Sequence, residues 1–327
     1  MVHHGGVSES EGTKSNTRRW CVPPEWAGQR LDRALADQTP DISRTRLQEW
    51  IKNGVVAVDG EPVDRPSTLL EPGQVLTWYP WVPPAEEAPD GPRFTVLHDE
   101  TAFAVVDKPA GMVAHPNDGV RGGTVADQAR ETWGSLPDVQ GPERPGIVHR
   151  LDGATSGLMV IGKQEAPAVE LRRQFRDREI EKTYWALVHG EPRFDSDWIE
   201  QPLGRSERSP DRFSVVPEGE GRPAQTFYEV LERFGQFTLV QCKPRTGRTH
   251  QIRVHLEWLG HPIVGDKLYT GQRGKPTLPE DAPVPRRQAL HALRLAFKHP
   301  VDGHRVEYEA PLAGDIAVFL EWLRVQD

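Results

Sequence analysis

Gly146 to Lys163 reads G-I-V-H-R-L-D-G-A-T-S-G-L-M-V-I-G-K, and its pattern decides how the larger part of the chain is read. A short apolar run, Ile147 and Val148, precedes a polar turn; after it, Leu158 to Ile161 has the apolar, β-branched character of a buried strand. One carboxylate, Asp152, lies in that turn, and its expected setting is a loop held between two strands, where reactive groups are commonly mounted. An isolated Asp in a turn usually does no more than bond the backbone two residues on. Asp152 therefore gains weight only from its company elsewhere in the chain. Ser156 lacks the G-x-S-x-G elbow of a hydrolase and is expected to bond the turn backbone and hold Asp152 in place.

On either side of this stretch the pattern is of strands and loops with helices between them. F-T-V-L-H, a turn at Asp99-Glu100 and F-A-V-V-D lead into the loop K-P-A-G-M-V-A-H-P. Helices are expected at Thr124 to Trp133, Ala166 to Arg178, Thr249 to Leu259 and Asp315 to Val325. The last has Asp315 as its cap and Ile316, Phe319, Leu320 and Leu323 as its core face. The class is α+β, and residues 94–327 form one large domain. Before it, residues 80–93, P-W-V-P-P-A-E-E-A-P-D-G-P-R, read as a stiff extended linker.

Residues 20–79 make a smaller domain. Leu31, Ala34 and Leu35 are at helical spacing, and Ser43 caps a second helix whose Leu47, Trp50 and Ile51 share a face; Gly54 ends it. V-V-A-V-D-G-E-P-V is a hairpin turning at Asp59-Gly60, and E-P-G-Q-V-L-T-W-Y is a further turn and strand. Residues 1–19 are polar and are expected to be a disordered tail.

Composition narrows the function. No apolar run among the 327 residues approaches a membrane span and the start lacks a signal peptide, so a cytoplasmic, membrane-free protein is expected. Two cysteines, Cys21 and Cys242, exclude a disulfide scaffold or a four-thiolate metal site. The net charge of −8 argues weakly against nucleic acid, yet Lys243 to Arg253 holds four basic residues and no acid, and phosphate binding depends on such clustering. His250 and His255 are five apart, without the spacing of a zinc hydrolase, and both phosphate-loop glycine patterns are missing. No metal and no cofactor are expected.

Four segments carry the remaining chemistry: V-D-K-P-A-G-M-V-A-H-P (106–116), H-R-L-D-G-A-T-S-G-L (149–158), E-K-T-Y-W-A-L-V (181–188) and K-P-R-T-G-R-T-H-Q-I-R-V-H-L (243–256). Together they resemble the RluA-type pseudouridine synthase family, over about residues 94–325. R-L-D-R-A-L-A, S-R-T-R-L-Q-E-W-I-K-N-G-V-V-A-V-D-G and L-E-P-G-Q-V-L resemble an S4-type RNA-binding domain, over about residues 28–79. With R-Q-A-L-H-A near 287–292, the chain is most similar to the RluD branch, which acts on large-subunit ribosomal RNA.

The resemblance implies a small S4-like domain before a catalytic domain built on a mixed, mainly antiparallel sheet with flanking helices. It implies isomerisation of uridine to pseudouridine in RNA, a ribosomal stem-loop or pre-ribosomal large subunit as partner, and a monomer. Asp152 is then the catalytic aspartate, as nucleophile or as base, Tyr184 the aromatic contact to the uracil, and Arg253 the basic residue beside Asp152. Arg150 helps to hold the flipped nucleotide, with His149 beside it among the RNA-contacting residues. Lys108, Lys243, Arg245 and Arg248 are left as phosphate contacts that position the RNA, and Arg44, Arg46 and Lys52 face the phosphate backbone from the S4-like domain. The sequence departs from the family at Gly153, where many relatives carry a side chain, and at Thr270, where a Gly commonly follows the Tyr of G-D-x-x-Y. The alternative is a non-catalytic RNA-binding or ribosome-assembly protein on the same fold. The catalytic reading requires Asp152, Tyr184 and Arg253 to converge on one cleft.

Overall fold

A computed structural model of the chain describes residues 18–39, 42, 44–78, 91–116, 119–120, 122–206, 209–271 and 278–326, the side chains of residues 45, 46, 49, 210 and 211 excepted. Residues 1–17 of the expected tail, the Ser43 cap, residues 80–90 of the Pro-rich segment and residues 272–277 lie outside the described residues. The chain divides into two compact units, residues 1–86 and 87–327.

In the first unit the elements run β1 (Arg18–Cys21), a single 3-10 turn, α1 (Leu31–Gln38), α2 (Arg44–Lys52), β2 (Val56–Val58), β3 (Glu61–Pro62) and β4 (Val75–Trp78). Arg18 and Arg19, expected in the tail, instead open β1 because they pair with Trp78 and Thr77 of β4. The antiparallel sheet has the order β1-β4-β2-β3. Asp59 and Gly60 turn the β2–β3 hairpin with φ of 52° and 90°, the positive values that a two-residue hairpin loop needs to match strand twist. The apolar faces of both helices, Leu31, Ala34 and Leu35 with Leu47, Trp50 and Ile51, bury against Val56, Leu76 and Trp78. Each such side chain removed from water contributes about 1.5–3 kcal/mol before its entropic cost.

The second unit holds strands β5 (Thr95–Asp99), β6 (Phe103–Lys108), β7 (Ser156–Gly162), β8 (Glu181–His189), β9 (Ser196–Ile199), β10 (Leu203–Ser206), β11 (Ser209–Val215), β12 (Thr226–Arg233), β13 (Phe237–Pro244), β14 (Leu290–Lys298) and β15 (Arg305–Glu309). Its helices are α3 (Val125–Trp133), α4 (Glu165–Asp177), α5 (Gln251–Trp258) and α6 (Gly314–Gln326). The main sheet has the order β5-β6-β7-β14-β8-β13-β12-β9, with β15 also on β14, while β10 and β11 form a separate pair. All pairings in the main sheet are antiparallel except β7 with β14. That parallel contact covers only His291 with Ser156 and Ala292 with Gly157, after which β14 takes β15 as its partner from Arg294 onward.

The β7–β14 contact explains one glycine. A Cβ on Gly157 would lie 2.3 Å from the Ala292 carbonyl oxygen, and its φ of +112° is open only to glycine. The stretch before Asp152 is not the expected second strand: Ile147 makes a single isolated bridge to Ile161, and β7 alone anchors the loop. Asp315 lies in the first turn of α6 rather than before it, and its carboxylate binds Arg287 at 2.7 and 2.8 Å. Of the apolar clusters in this unit, two meet at Tyr184. One gathers Val106, Met112, Ala129, Leu151, Met159 and Ile161; the other gathers Leu187, Leu239, Val240, Leu256, Phe319 and Leu320. Tyr184 packs against both.

Candidate active site

The Asp152 loop is gripped from below. Lys108, at the end of β6, is fully buried, and its ammonium donates to the carbonyls of Pro109, Met112 and Gly153 at 2.9, 2.8 and 3.0 Å. The Gly111 amide donates to the same Gly153 oxygen at 2.9 Å. Lys108 is therefore not a phosphate contact, because a group with no exposed surface and three carbonyl acceptors cannot reach RNA; it clamps the residue next to Asp152. Burial, with the Arg287 charge, pulls its pKa down to about 7 against the opposing pull of Asp152 and Asp107.

Ser156 does not hold the turn either. Its hydroxyl meets His291 Nδ1 at 3.0 Å and so ties β7 to β14. The turn closes instead through the Thr155 amide on the Asp152 carbonyl at 3.0 Å.

Arg253 comes to Asp152 from α5, whose residues from Gln251 to Leu256 are all buried. The guanidinium donates from Nη1 to Asp152 Oδ2 at 3.2 Å, and from Nε and Nη2 to the two oxygens of Asp266 at 2.7 and 3.0 Å. Burial by itself would lower its pKa, but contact with Asp266 and Asp152 outweighs that and raises it, so the group is a fixed cation. Asp266 Oδ1 also accepts the Leu268 and Tyr269 amides at 2.9 and 3.0 Å, and the Tyr269 ring lies 4.9 Å under the guanidinium carbon. Gly265 makes this turn possible: a Cβ there would fall 2.1 Å from the Arg287 carbonyl oxygen, at a φ of +75°.

His250 completes the group. It precedes α5 in the left-handed conformation, φ 58°, so the helix starts at Gln251, two residues later than its sequence implies. The Tyr269 hydroxyl accepts the Phe213 amide at 2.9 Å and lies 2.9 Å from His250 Nδ1. If the hydroxyl donates there, the imidazole proton falls on Nε2, which lies 3.8 Å from Asp152 Oδ2. Burial lowers the His250 pKa and the Asp152 charge only partly restores it, which favours the neutral ring.

The T-G-R-T-H loop before α5 is braced by Gln251. Its amide oxygen accepts Thr246 Oγ1 at 2.6 Å and the Arg248 amide at 3.0 Å, while its nitrogen donates to the Gln225 carbonyl and Thr226 Oγ1, both at 2.9 Å.

Asp152, Tyr184 and Arg253 line one cleft, together with Arg150, Lys182, Arg248 and His250. The cleft encloses about 120 Å³, well below the roughly 300–1,000 Å³ of pockets for drug-sized ligands, and has room for one small ring. Burial foremost, and then the Asp152 charge, raises the Tyr184 pKa, so the phenol stays protonated and offers its ring and its O–H rather than a charge. Lys182 is brought down to about 8, mainly by burial and then by Arg178.

The other residues named from the sequence fall in different places. Arg150 is exposed at the cleft, and Arg248 is half-buried there with Nε on the Pro223 carbonyl at 3.2 Å. Arg245 is exposed with its guanidinium 4.8 Å over the Trp198 ring, and Lys243 lies 3.8 Å from Glu229 and 5.9 Å over Phe227. His149 is not an RNA contact: its ring stacks on Phe175 at 4.1 Å, and its Nε2 accepts the Val160 amide at 2.9 Å. Burial, then Lys182, takes its pKa down to about 3, which keeps it neutral.

In the first unit, Lys52 is exposed and the Arg46 side chain lies outside the described residues. Arg44 is half-exposed and shares the buried carboxylate of Asp32 with Arg30 and Gln48, at 2.9 Å from its Nη2. Burial would raise the Asp32 pKa, but the hydrogen bonds from Arg30, Gln48 and Arg44 hold it down to about 2. Arg44 thus has a structural task beside any phosphate contact.

Asp266, His250, Tyr269, Lys182 and Gln251 were not assigned to the site from the sequence. Asp266 and Tyr269 did carry a signal in the G-D-x-x-Y pattern.

The family model for RNA pseudouridylate synthase matches residues 102–258, and that for the S4 domain matches residues 29–76. An uncharacterized RNA pseudouridine synthase of Bacillus subtilis is 38% identical over 301 residues, covering 92% of this chain and 96% of the relative. The ribosomal large subunit pseudouridine synthase D of Vibrio parahaemolyticus is 38% identical over 304 residues, covering 91% of each. Among solved structures, human RNA pseudouridylate synthase domain containing 1 superposes with a TM-score of 0.53 at 27% identity, covering 72% of this chain and 97% of that one. Among the described residues, no helix is long and apolar enough to cross a membrane.

Proposed function

Because the chain belongs to the RNA pseudouridine synthase family, with an S4 domain ahead of its catalytic one, we propose that it isomerises uridine to pseudouridine in large-subunit ribosomal RNA, with Asp152 as the reacting carboxylate. The observation that carries the site assignment is the Arg253 guanidinium, 3.2 Å from Asp152 and fixed on its other side by Asp266, in the cleft that Tyr184 also lines.

A uracil stacked in a helix hides its ring and its sugar face, so the base must leave the stack, at a cost of a few kcal/mol. Stacking on an aromatic side chain offsets about 1–3 kcal/mol of that, and Tyr184 is the aromatic ring among the cleft-lining residues. Arg150 and Arg248 at the cleft are suited to the flanking phosphates.

Asp152 acts as a carboxylate, either on the anomeric carbon or on a ribose proton. The bond from ribose to N1 breaks, the uracil turns between Tyr184 and the opposite wall, and C5 bonds to the sugar; any bond from Asp152 to the anomeric carbon breaks in that step, the C5 proton leaves and N1 takes one up. Product and substrate have the same atoms and oxidation level, so the reading needs no redox or nucleotide cofactor. A ribosomal substrate supports a cytoplasmic location.

Pseudouridine mapping across ribosomal RNA in cells lacking the gene tests this. Loss of one or more large-subunit sites, restored by the wild-type gene and not by Asp152→Ala, is expected. Restoration by Asp152→Ala would overturn the assignment of Asp152, and an unchanged map would overturn the ribosomal substrate.

A further inference from the structure

We propose that His299, Asp302 and His304 form a binding site for one divalent transition-metal ion, with Glu100 orienting the first ligand. The three residues lie in H-P-V-D-G-H, the turn that joins β14 to β15. The turn is closed at its neck by the His299 amide on the His304 carbonyl at 2.7 Å and by the Gly303 amide on the His299 carbonyl at 2.9 Å. One potential ligand atom from each residue then lies within 4.8 Å of the others. The two imidazole rings stack, with centroids 4.8 Å apart and planes 17° from parallel.

The side-chain contacts set these three atoms facing one another. His299 Nε2 lies 2.8 Å from Glu100 Oε1, on the turn between β5 and β6. An ionised carboxylate only accepts, so the His299 proton belongs on Nε2 and the Nδ1 lone pair points into the turn. Nδ1 faces Asp302 Oδ1 at 3.1 Å, and His304 Nδ1 contacts the same oxygen. The Val301 and Asp302 amides reach His299 Nδ1 only at 3.3 and 3.5 Å. With its proton on Nδ1, His304 donates to Asp302 Oδ1; with that proton displaced, the three atoms are open to one shared ion. One metal ion satisfies all three atoms together.

The donor set selects the ion. Two imidazole nitrogens and one carboxylate oxygen suit zinc, cobalt or nickel, whereas calcium and magnesium take oxygen ligands. A carboxylate behind a ligating histidine is the usual supporting arrangement, and Glu100 supplies it from a different part of the sheet. Its second oxygen lies 3.5 Å from His98 Nε2. Asp302 and His304 are exposed, which leaves the outer coordination positions to water. None of these residues lines the cleft with Asp152, so the ion would fasten the β14–β15 turn to the β5–β6 turn rather than take part in chemistry.

The test uses the full-length protein freed of metal by a chelator, with Co²⁺ as a spectroscopic probe and Zn²⁺ in calorimetric titration. One equivalent should bind with a visible d–d absorption and raise the melting temperature. His304→Ala and Asp302→Asn should each weaken Zn²⁺ binding at least tenfold and abolish that band, and Glu100→Ala should weaken it by about tenfold. His3 and His4 are present in every variant, so any binding there cancels in the comparison. Circular dichroism establishes that the variants fold. RNA modification should be unchanged in His304→Ala. Equal Zn²⁺ affinity and an equal Co²⁺ spectrum in the wild type and in both turn variants would overturn the proposal.

Discussion

Arg253 is held by Asp266 before it is offered to Asp152: two bonds of 2.7 and 3.0 Å run to Asp266, against one of 3.2 Å to Asp152. The tighter partner fixes the plane of the guanidinium, and the looser one is left able to exchange its bond for substrate. Asp266→Asn keeps the shape and removes the charge. It should lower single-turnover rates by about 10- to 100-fold, the scale of losing a buried charge-assisted bond, with RNA affinity changed less than twofold. Rapid-quench turnover beside filter binding checks this, and an unchanged rate would show that Asp266 does no more than fill space.

The glycines of the site should differ in what they tolerate. A Cβ on Gly153 meets only Val113 Cγ1, at 3.0 Å, a side-chain atom that can yield by a few tenths of an ångström. Gly153→Ala should therefore retain activity within about threefold and cost less than about 1 kcal/mol. At Gly157 and Gly265 the obstacle is backbone and φ is positive, so alanine should lower stability by more than about 2 kcal/mol. Urea melts of the three variants give the order.

Lys108 and Arg248 separate clamp from contact. Lys108→Met removes the ammonium donor from three carbonyls, of which Gly153 alone keeps a second one from the Gly111 amide, and should lower the melting temperature by several degrees. The salt dependence of RNA binding should stay as it was, because Lys108 has no exposed surface. Arg248→Ala should do the reverse, reducing the slope of log affinity against log salt by about one with little change in melting. Binding isotherms at several salt concentrations decide between them.

Acid should unfold the second unit through its buried histidines. His149, His255 and His291 have pKa values of about 3, 4 and 4, set in each case mainly by burial, against an ordinary 6.5. Between pH 6.5 and 4 the unfolded chain binds more protons than the folded one, so stability is full above pH 6.5 and falls as the pH drops through that window. Each group contributes up to about 1.4 kcal/mol per pH unit there. His291→Gln should flatten the decline by about that amount per unit, measured as urea-unfolding free energy at pH 7.5, 6.5, 5.5 and 4.5.

Much of this was legible in the sequence because periodicity and turn chemistry are local. The two helices of the first unit, the Asp59-Gly60 hairpin and the core face of α6 needed only spacing and turn rules. Convergence of Asp152, Tyr184 and Arg253 followed from the family resemblance, and the shared cleft agrees with it. What stayed hidden depends on long-range packing. Lysine is rarely buried, so Lys108 reads as a phosphate ligand until three carbonyls are found around it. His149 adjoins Arg150 in the chain, yet the two point to different environments, one against Phe175 and one at the cleft. Ser156 reads as a local turn bond because its partner, His291, is 135 residues away.

Strand β14 bonds to β7 over two register pairs and to β8 over six, and these neighbours carry the Asp152 loop and Tyr184 respectively. One strand is thus the common reference for Asp152 and Tyr184. The join on the carboxylate side is the narrower, closed by backbone at Gly157 and by the Ser156–His291 bond. Slippage there would change the width of the slot before it disturbed either wall. The spacing available to a base is therefore set by a short seam in the sheet, as the gap of a caliper is set by its slide.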